Sequence, residues 1–282
     1  MENSLKNYMK NNVIDNDEVG IEKHISADLR EVFNIIKYEK ISSTNTVLKD
    51  MAKADAKEWT VLIANEQTNG KGRMNRNFYS PCNSGIYMSV LLKPDFLPSQ
   101  TLFLTPMTAV VVSEAIDKVL NVCTGIKWVN DIYLNDKKVC GILAEGAISK
   151  DGLKNDYVVI GIGINISNPD DDFPSELKEI AGSLISDKNL ENKELFVENL
   201  KNKLIAEILT KMYKYYNAND KAFMKEYKNK SILINKEVYI LGDENKEKWK
   251  VIDIDASASL VVENKEGIIK TISSGEVSVR LF

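Results

Sequence analysis

The spacing of apolar and polar positions divides the chain into three stretches. Residues 1–37 are mostly polar, with a weakly helical stretch over 26–36, and predict an arm or leader. From Tyr38 to about residue 230 short apolar runs alternate with helical spacing. A helix is expected over 44–53, a short strand over 59–65, a Gly- and Asn-rich loop over 66–76, and an alternating strand over 85–92. Residues 101–120 carry the strongest helical pattern, with Glu114 and Asp117 on the outer side. Strands follow over 126–128, 132–134 and 138–145, with Asn135-Asp136 as a hairpin turn signal. Residues 157–166 predict a buried strand, 168–175 a loop, and 192–216 and 218–228 helices, the longer one with a solvated amphipathic face.

Beyond residue 231 the period shortens. Runs over 237–241, 248–255, 260–263, 268–273 and 276–282 predict five short strands, the pattern of a small SH3-like β-barrel. The expected division is a leader over 1–37, a mixed α+β unit over 38–230 and a barrel over 231–282.

Composition removes several classes of chemistry. The chain has 282 residues, 37 Lys plus Arg against 41 Asp plus Glu, and a net charge of −4. That balance disfavours a general nucleic-acid binder. The single His24 excludes a histidine-rich metal site, and any Ser-His-Asp triad would have to use it. Cys82, Cys123 and Cys140 lack CxxC spacing, which predicts a reducing compartment, and semi-buried or buried thiols. No apolar run is long enough for a membrane span, and the N-terminus lacks a secretory h-region, so the cytoplasm is expected. Only Arg30, Arg73, Arg76 and Arg280 are arginines, so planar recognition of an anion has few candidates.

Two of those four arginines share one loop. Gln67-Thr68-Asn69-Gly70-Lys71-Gly72-Arg73-Met74-Asn75-Arg76 interleaves glycines with three cations, either an anion cradle or a solvated basic loop. Its glycines let the backbone approach a ligand or take positive φ. It lacks the Walker A pattern. Lys127-Trp128-Val129-Asn130-Asp131 places a Lys, an Asn and an Asp between two strands, where Asn and Asp also simply favour a turn. In Lys138-Val139-Cys140-Gly141-Ile142-Leu143 the lysine is either a snorkelling edge residue or a buried functional charge, and Gly141 suggests close approach by a ligand. Gly161-Ile162-Gly163-Ile164-Asn165 fails the dinucleotide fingerprint because Ile166 takes the third glycine's place.

In this order, and with Ser43-Thr44-Asn45 before them and Ser274-Gly275-Glu276-Val277-Ser278-Val279-Arg280 after, these segments resemble the biotin–protein ligases. The resemblance runs from Tyr38 to Phe282. It implies a mixed-sheet catalytic domain of the class II synthetase-like type with a C-terminal SH3-like barrel, without a DNA-binding domain. It implies a ligase that activates biotin with ATP and Mg²⁺ and transfers it to a lysine of a biotin carboxyl carrier protein or domain. Ser43, Thr44, Asn45, Gln67, Lys71, Gly72, Arg73, Lys138 and Gly141 would then meet biotin. Arg73, Arg76, Phe78, Lys127, Asn130, Asp131, Asn165 and Arg280 would serve ATP, with Asp131 reaching the metal through water. Arg73, Lys138 and Lys127 would be the catalytic cations. Lys71 replaces a commoner Arg, Val129 a Pro, Phe78 an aromatic that is often Trp, and Ser274 a Gly. A homodimer is compatible with the resemblance; DNA and membrane partners are not expected. The alternatives are a lipoate–protein ligase, a biotin-sensing repressor, and a non-catalytic module built on the barrel.

Overall fold

The computed structural model describes residues 20–95, 97–149, 154–168, 172–185, 192–218, 221–240, 247–273 and 279–281. Its centre is a seven-stranded mixed sheet in the order β1-β2-β3-β7-β6-β5-β4. The strands are β1 (Asn34–Ile41), β2 (Thr60–Gln67), β3 (Gly85–Leu92), β4 (Gly125–Lys127), β5 (Asp131–Leu134), β6 (Lys137–Ile148) and β7 (Asn155–Asn165). Only β1 and β2 run parallel; every other neighbouring pair is antiparallel. Between β1 and β2 the chain crosses over through α1 (Thr44–Lys53), as a parallel pair requires. Residues Asn135 and Asp136 both have positive φ, 51° and 60°, so the expected tight hairpin joins β5 to β6.

Helix α2 (Leu104–Leu120) is buried along most of its length and ends on Asn121 in the left-handed conformation. Helix α3 (Lys193–Asn217) covers it, burying Leu200, Leu204, Ile208, Leu209 and Met212. Glu114 and Asp117 are not solvated as their outer position on α2 suggested. Glu114 takes Lys211 Nζ at 2.8 Å and Tyr215 Oη at 3.2 Å, and Asp117 takes Lys230 Nζ at 2.5 Å. The polar stripe that looked like a surface is a helix–helix seam.

The largest departure from the sequence reading is at the N-terminal side. Residues 20–37 pack against the main core and do not stand off it as an arm, and residues 1–19 lie outside the described residues. Ile21, Ile25, Leu29 and Phe33 are buried in the main core, His24 is half-buried between them, and β1 already begins at Asn34. Only the turns Ile21–His24 and Ala27–Arg30 are helical. Phe33 stacks edge-on against Trp59 at 5.7 Å and Tyr213 at 6.2 Å, and the register Asn34↔Thr60 follows. Pairing with β2 thus outweighs the weak helical spacing over 26–36, an outcome set by distant residues.

A second, five-stranded antiparallel sheet has the order β11-β10-β9-β8-β12, from β8 (Glu237–Ile240), β9 (Lys248–Ile254), β10 (Leu260–Glu263), β11 (Ile269–Ile272) and β12 (Val279–Leu281). This is the small β unit that the short strand spacing predicted. It reaches the first sheet through α4 (Phe223–Asn229) and a bridge between Ile126 and Ser231. Among the described residues no helix is long and apolar enough to cross a membrane.

Candidate functional site

Three glycines explain where the site lies. Gly141 on β6 pairs with Gly163 on β7, and Gly161 stands two residues along the same face. An added Cβ at Gly163 would lie 2.5 Å from the Phe78 ring, and one at Gly161 would lie 2.2 Å from Asn45 Oδ1. One at Gly141 would stand 3.3 Å from both Phe78 and Lys138 Nζ. The glycine-rich runs of β6 and β7 therefore form a floor on which Asn45, Phe78 and Lys138 rest. Gly141 admits neighbouring side chains, where the sequence suggested a ligand.

At one end of this floor polar side chains form a hydrogen-bonded network closed by an ion pair. Ser43 takes the extended conformation before α1 but makes no side-chain cap. Gln67 satisfies that helix end instead: its Oε1 accepts from Thr44 N at 2.8 Å and Thr44 Oγ1 at 3.1 Å. Gln67 Nε2 donates to Ser80 Oγ at 2.9 Å, which donates on to Phe78 O at 2.9 Å. Ser89 Oγ lies 2.7 Å from Thr44 Oγ1 and 2.6 Å from Asn45 Oδ1. Asn45 Nδ2 donates to Glu145 Oε2 at 2.9 Å, and Lys49 Nζ sits 2.5 Å from Glu145 Oε1. Burial alone would raise the Glu145 carboxyl; its bonds from Lys49 and Asn45 outweigh that and hold it below its ordinary range. Ser43, Thr44 and Asn45 are all buried.

The cations gather at the other end. Lys138 Nζ lies 2.6 Å from Asp131 Oδ1, off the hydrogen-bonding direction. The backbone of Lys138 is fixed by bonds to Ile180 O at 2.8 Å and from Gly182 N at 2.9 Å, and Asn165 Nδ2 donates to Gly182 O at 2.9 Å. Arg73 Nη1 donates to Asn130 Oδ1 at 3.1 Å, and Asn130 Nδ2 donates to Ile142 O at 2.7 Å. Burial lowers the Arg73 pKa, and the neighbouring Asp131 charge opposes that. Lys127 lies over the Tyr133 ring at 5.6 Å. The turn carrying Lys127 to Asp131 is held from outside: Trp128 Nε1 donates to Ala258 O at 2.9 Å, and Tyr227 Oη to Val129 O at 2.9 Å.

The basic loop is a narrow hairpin. Phe78 N donates to Gly70 O at 2.9 Å and Gly72 N to Arg76 O at 2.7 Å. The positive φ values fall on Met74 and Asn75, at 54° and 58°, and Gly72 is extended. Gly70 is needed for close approach, since a Cβ there would lie 2.4 Å from Phe78 O. Lys71 and Arg76 are exposed. Residues 274–278 lie outside the described residues, and Arg280 is described by its backbone alone, paired with Tyr239. Of the thiols, Cys140 is buried and pushed up by that burial, whereas Cys82 and Cys123 are exposed, contrary to expectation.

Sequence reasoning missed Ser80, Ser89, Glu145, Lys49 and Tyr227. Except for Ser80, which bonds the nearby Phe78 and Gln67, their partners lie far away in sequence, and only the Gly161–Gly163 spacing hinted that side chains would cross that floor.

A mixed sheet joined to a small antiparallel sheet matches the fold of solved biotin protein ligases. The structure aligns with the biotin protein ligase of Aquifex aeolicus, solved in complex with biotin and ATP, at a TM-score of 0.69 and 31% identity, covering 88% of this chain and 99% of that one. Residues 38–165 match the model of the biotin/lipoate A/B protein ligase family. The chain belongs to that family. It is 43% identical over 151 residues to the bifunctional ligase/repressor BirA of Bacillus spizizenii, across 54% of this chain but only 46% of the relative. It is 28% identical over 209 residues to the biotin–[acetyl-CoA-carboxylase] ligase of Mycobacterium tuberculosis, covering 70% of this chain and 71% of that protein. The chain thus spans about half the length of the Bacillus relative that it matches.

Proposed function

We propose that this protein is an ATP-dependent biotin–protein ligase. The observation that carries the reading is the order of groups along the glycine floor: a bonded polar network around Asn45, closed by the Glu145–Lys49 ion pair, at one end, and Lys138 with Arg73, Asn130 and Asp131 at the other. A neutral ureido ring suits the first end, and a carboxylate beside a nucleotide phosphate suits the second. In the first step a biotin carboxylate oxygen attacks the α-phosphorus of ATP, and pyrophosphate leaves. In the second a carrier-domain lysine amine attacks the acyl carbon of biotinyl-5′-AMP, and AMP leaves. Both anions of the first step repel each other, so Lys138, Arg73 and Lys127 offset the charge that builds on the phosphate. The reaction needs no enzyme nucleophile.

The remaining assignments belong to the same proposal. Ser43, Thr44, Asn45 and Gln67 line the biotin end; Gly141 lies under Lys138, where the biotin carboxylate would arrive; Lys71, Gly72 and Arg73 would close over biotin and the adenylate phosphate; Arg76, Phe78, Asn165 and Arg280 stand on the nucleotide side. Among the described residues no group of three acidic, His or Cys side chains could hold a metal ion. A Mg²⁺ would then be held largely by phosphate oxygens and water, with Asp131 as the residue that would hold it through a water, and it would supply charge neutralisation. The catalytic unit extends to about residue 230 and the barrel unit from 231. The acceptor is a biotin carrier domain of a carboxylase, and three free thiols suit the cytoplasm. Pairing of two copies would use β1, since the β4 edge is bridged by Ser231.

The test is transfer of labelled biotin or lipoate to purified carrier domains with ATP. Biotin transfer to a biotin carrier is expected; transfer of lipoate alone would replace this reading with the lipoate ligase. Arg73→Gly is expected to let the adenylate escape and label lysines of a bystander protein, visible by streptavidin blot. Unchanged selectivity would remove Arg73 from that role.

A further inference from the structure

Glu145 and Ser89 belong to none of the motifs that carry the family resemblance, yet both touch Asn45. Proton accounting shows what they do. A carboxylate has no proton to give, so the Asn45 atom that faces Glu145 at 2.9 Å is Nδ2. The other amide atom, Oδ1, then faces Ser89 Oγ at 2.6 Å, and Ser89 gives it its only proton. With that proton committed, Ser89 meets Thr44 Oγ1 at 2.7 Å as an acceptor. From the far end, Thr44 N requires an acceptor, so Gln67 turns Oε1 toward Thr44 and Nε2 toward Ser80. The Thr44 hydroxyl proton has an acceptor on both sides, Ser89 and Gln67, which leaves the lone pairs of Thr44 Oγ1 free to accept. The floor permits no slack: a Cβ at Gly161 would lie 2.2 Å from Asn45 Oδ1.

We propose that Glu145 is a positioning residue that sets ligand specificity, acting through Asn45 and Ser89 to make the Thr44 wall of the pocket an acceptor for ligand N–H groups. The inference rests on the reading of this pocket as the biotin end of the site. A ureido ring presents N–H donors to such a wall, and a dithiolane ring presents none. Lys49, 2.5 Å from the other carboxylate oxygen, keeps Glu145 ionised and aimed. If the amide of Asn45 were reversed, Ser89 would turn its proton to Thr44 and occupy one of the two acceptor lone pairs of that wall.

The experiment uses the full chain and two readouts: biotin Kd by calorimetry, and KM for biotin and for ATP in biotin-dependent pyrophosphate release. E145A is expected to raise biotin Kd and KM about tenfold while the KM for ATP stays within about twofold. E145Q, which keeps an acceptor for Asn45 Nδ2, is expected to recover most of that loss. In an Asn45→Ala background, E145A is expected to add less than about twofold, because its effect passes through Asn45. Additive losses in the double variant, parallel shifts in both KM values, or an unchanged biotin Kd in E145A would each overturn the proposal. If E145A does not fold, Ser89→Ala with and without Asn45→Ala runs the same cycle with the same expectations. A wild-type protein that binds no biotin would instead sink the functional reading itself, an outcome distinct from a binding wild type that is indifferent to E145A.

Discussion

The two ends of the glycine floor are built on opposite principles. Around Asn45 each side chain has its hydrogen bonds assigned, from Glu145 through Ser89 and Thr44 to Gln67 and Ser80. Around Lys138 the charged side chains Lys138, Arg73 and Asp131 are half-exposed and each meets a single partner, Lys138 with Asp131 and Arg73 with Asn130. A closed network is costly to rearrange, because each broken bond leaves a buried polar atom unpaired. A loose set of charges can exchange one partner for another at little cost, as a site that must receive a triphosphate and release pyrophosphate requires. The first end is therefore suited to recognition and the second to a reaction, and the predictions below separate them.

The largest effect is expected at the charged end. Lys138→Ala should lower biotin-dependent pyrophosphate release by about 100- to 1000-fold, the range for losing one group that stabilises developing charge. A variant with near wild-type turnover would place the reacting carboxylate elsewhere. Gly163→Ala comes next. Its Cβ would lie 2.5 Å from the Phe78 ring, so the ring must move, at a cost of about 1–3 kcal/mol in stability. The KM for ATP should rise about tenfold in the same variant, and the KM for biotin should change less; the reverse order would exchange the two ends. Trp128→Phe removes the 2.9 Å bond to Ala258 O and should cost about 1 kcal/mol in a urea titration. An unchanged midpoint would mean that the barrel does not support the Lys127–Asp131 turn.

The smallest effect concerns pH. The folded Glu145 carboxyl is held below its ordinary value of 4.5. A depressed folded value means that its stabilisation is fully present above the unfolded value and is lost as pH falls through the folded one. The difference in urea midpoint between wild type and E145Q should therefore hold at neutral pH and shrink below about pH 4.5. A difference that is constant down to pH 3 would contradict the ion pair with Lys49.

The sequence was most legible where structure is local. Helix α1 and strands β3 and β10 lie where the spacing places them, because each is marked by its own turn residues and apolar period. The hairpin at Asn135-Asp136 needs only two residues to specify it. The strand β1 was hidden because its identity depends on Phe33 meeting Trp59 and Tyr213. The cationic end was legible as well, since glycines, lysines and rare arginines stand out in an acidic chain. The closed end was only half legible. Ser43, Thr44, Asn45 and Gln67 could be named from the resemblance, but the residues that orient them could not. Ser89 and Glu145 reach Asn45 across 44 and 100 positions of sequence, and a serine in an apolar strand carries no local mark of its partner.

Hydrogen–deuterium exchange tests this division of labour most directly. Amides of 44–48 and 86–90 should be protected already in the free protein and change little with ligand. Amides of 70–76 should exchange quickly without ligand and slow by at least about tenfold with biotin and ATP together, as a water-excluding loop orders. Equal exchange in 70–76 with and without ligands, or a large gain of protection confined to 44–48, would contradict it.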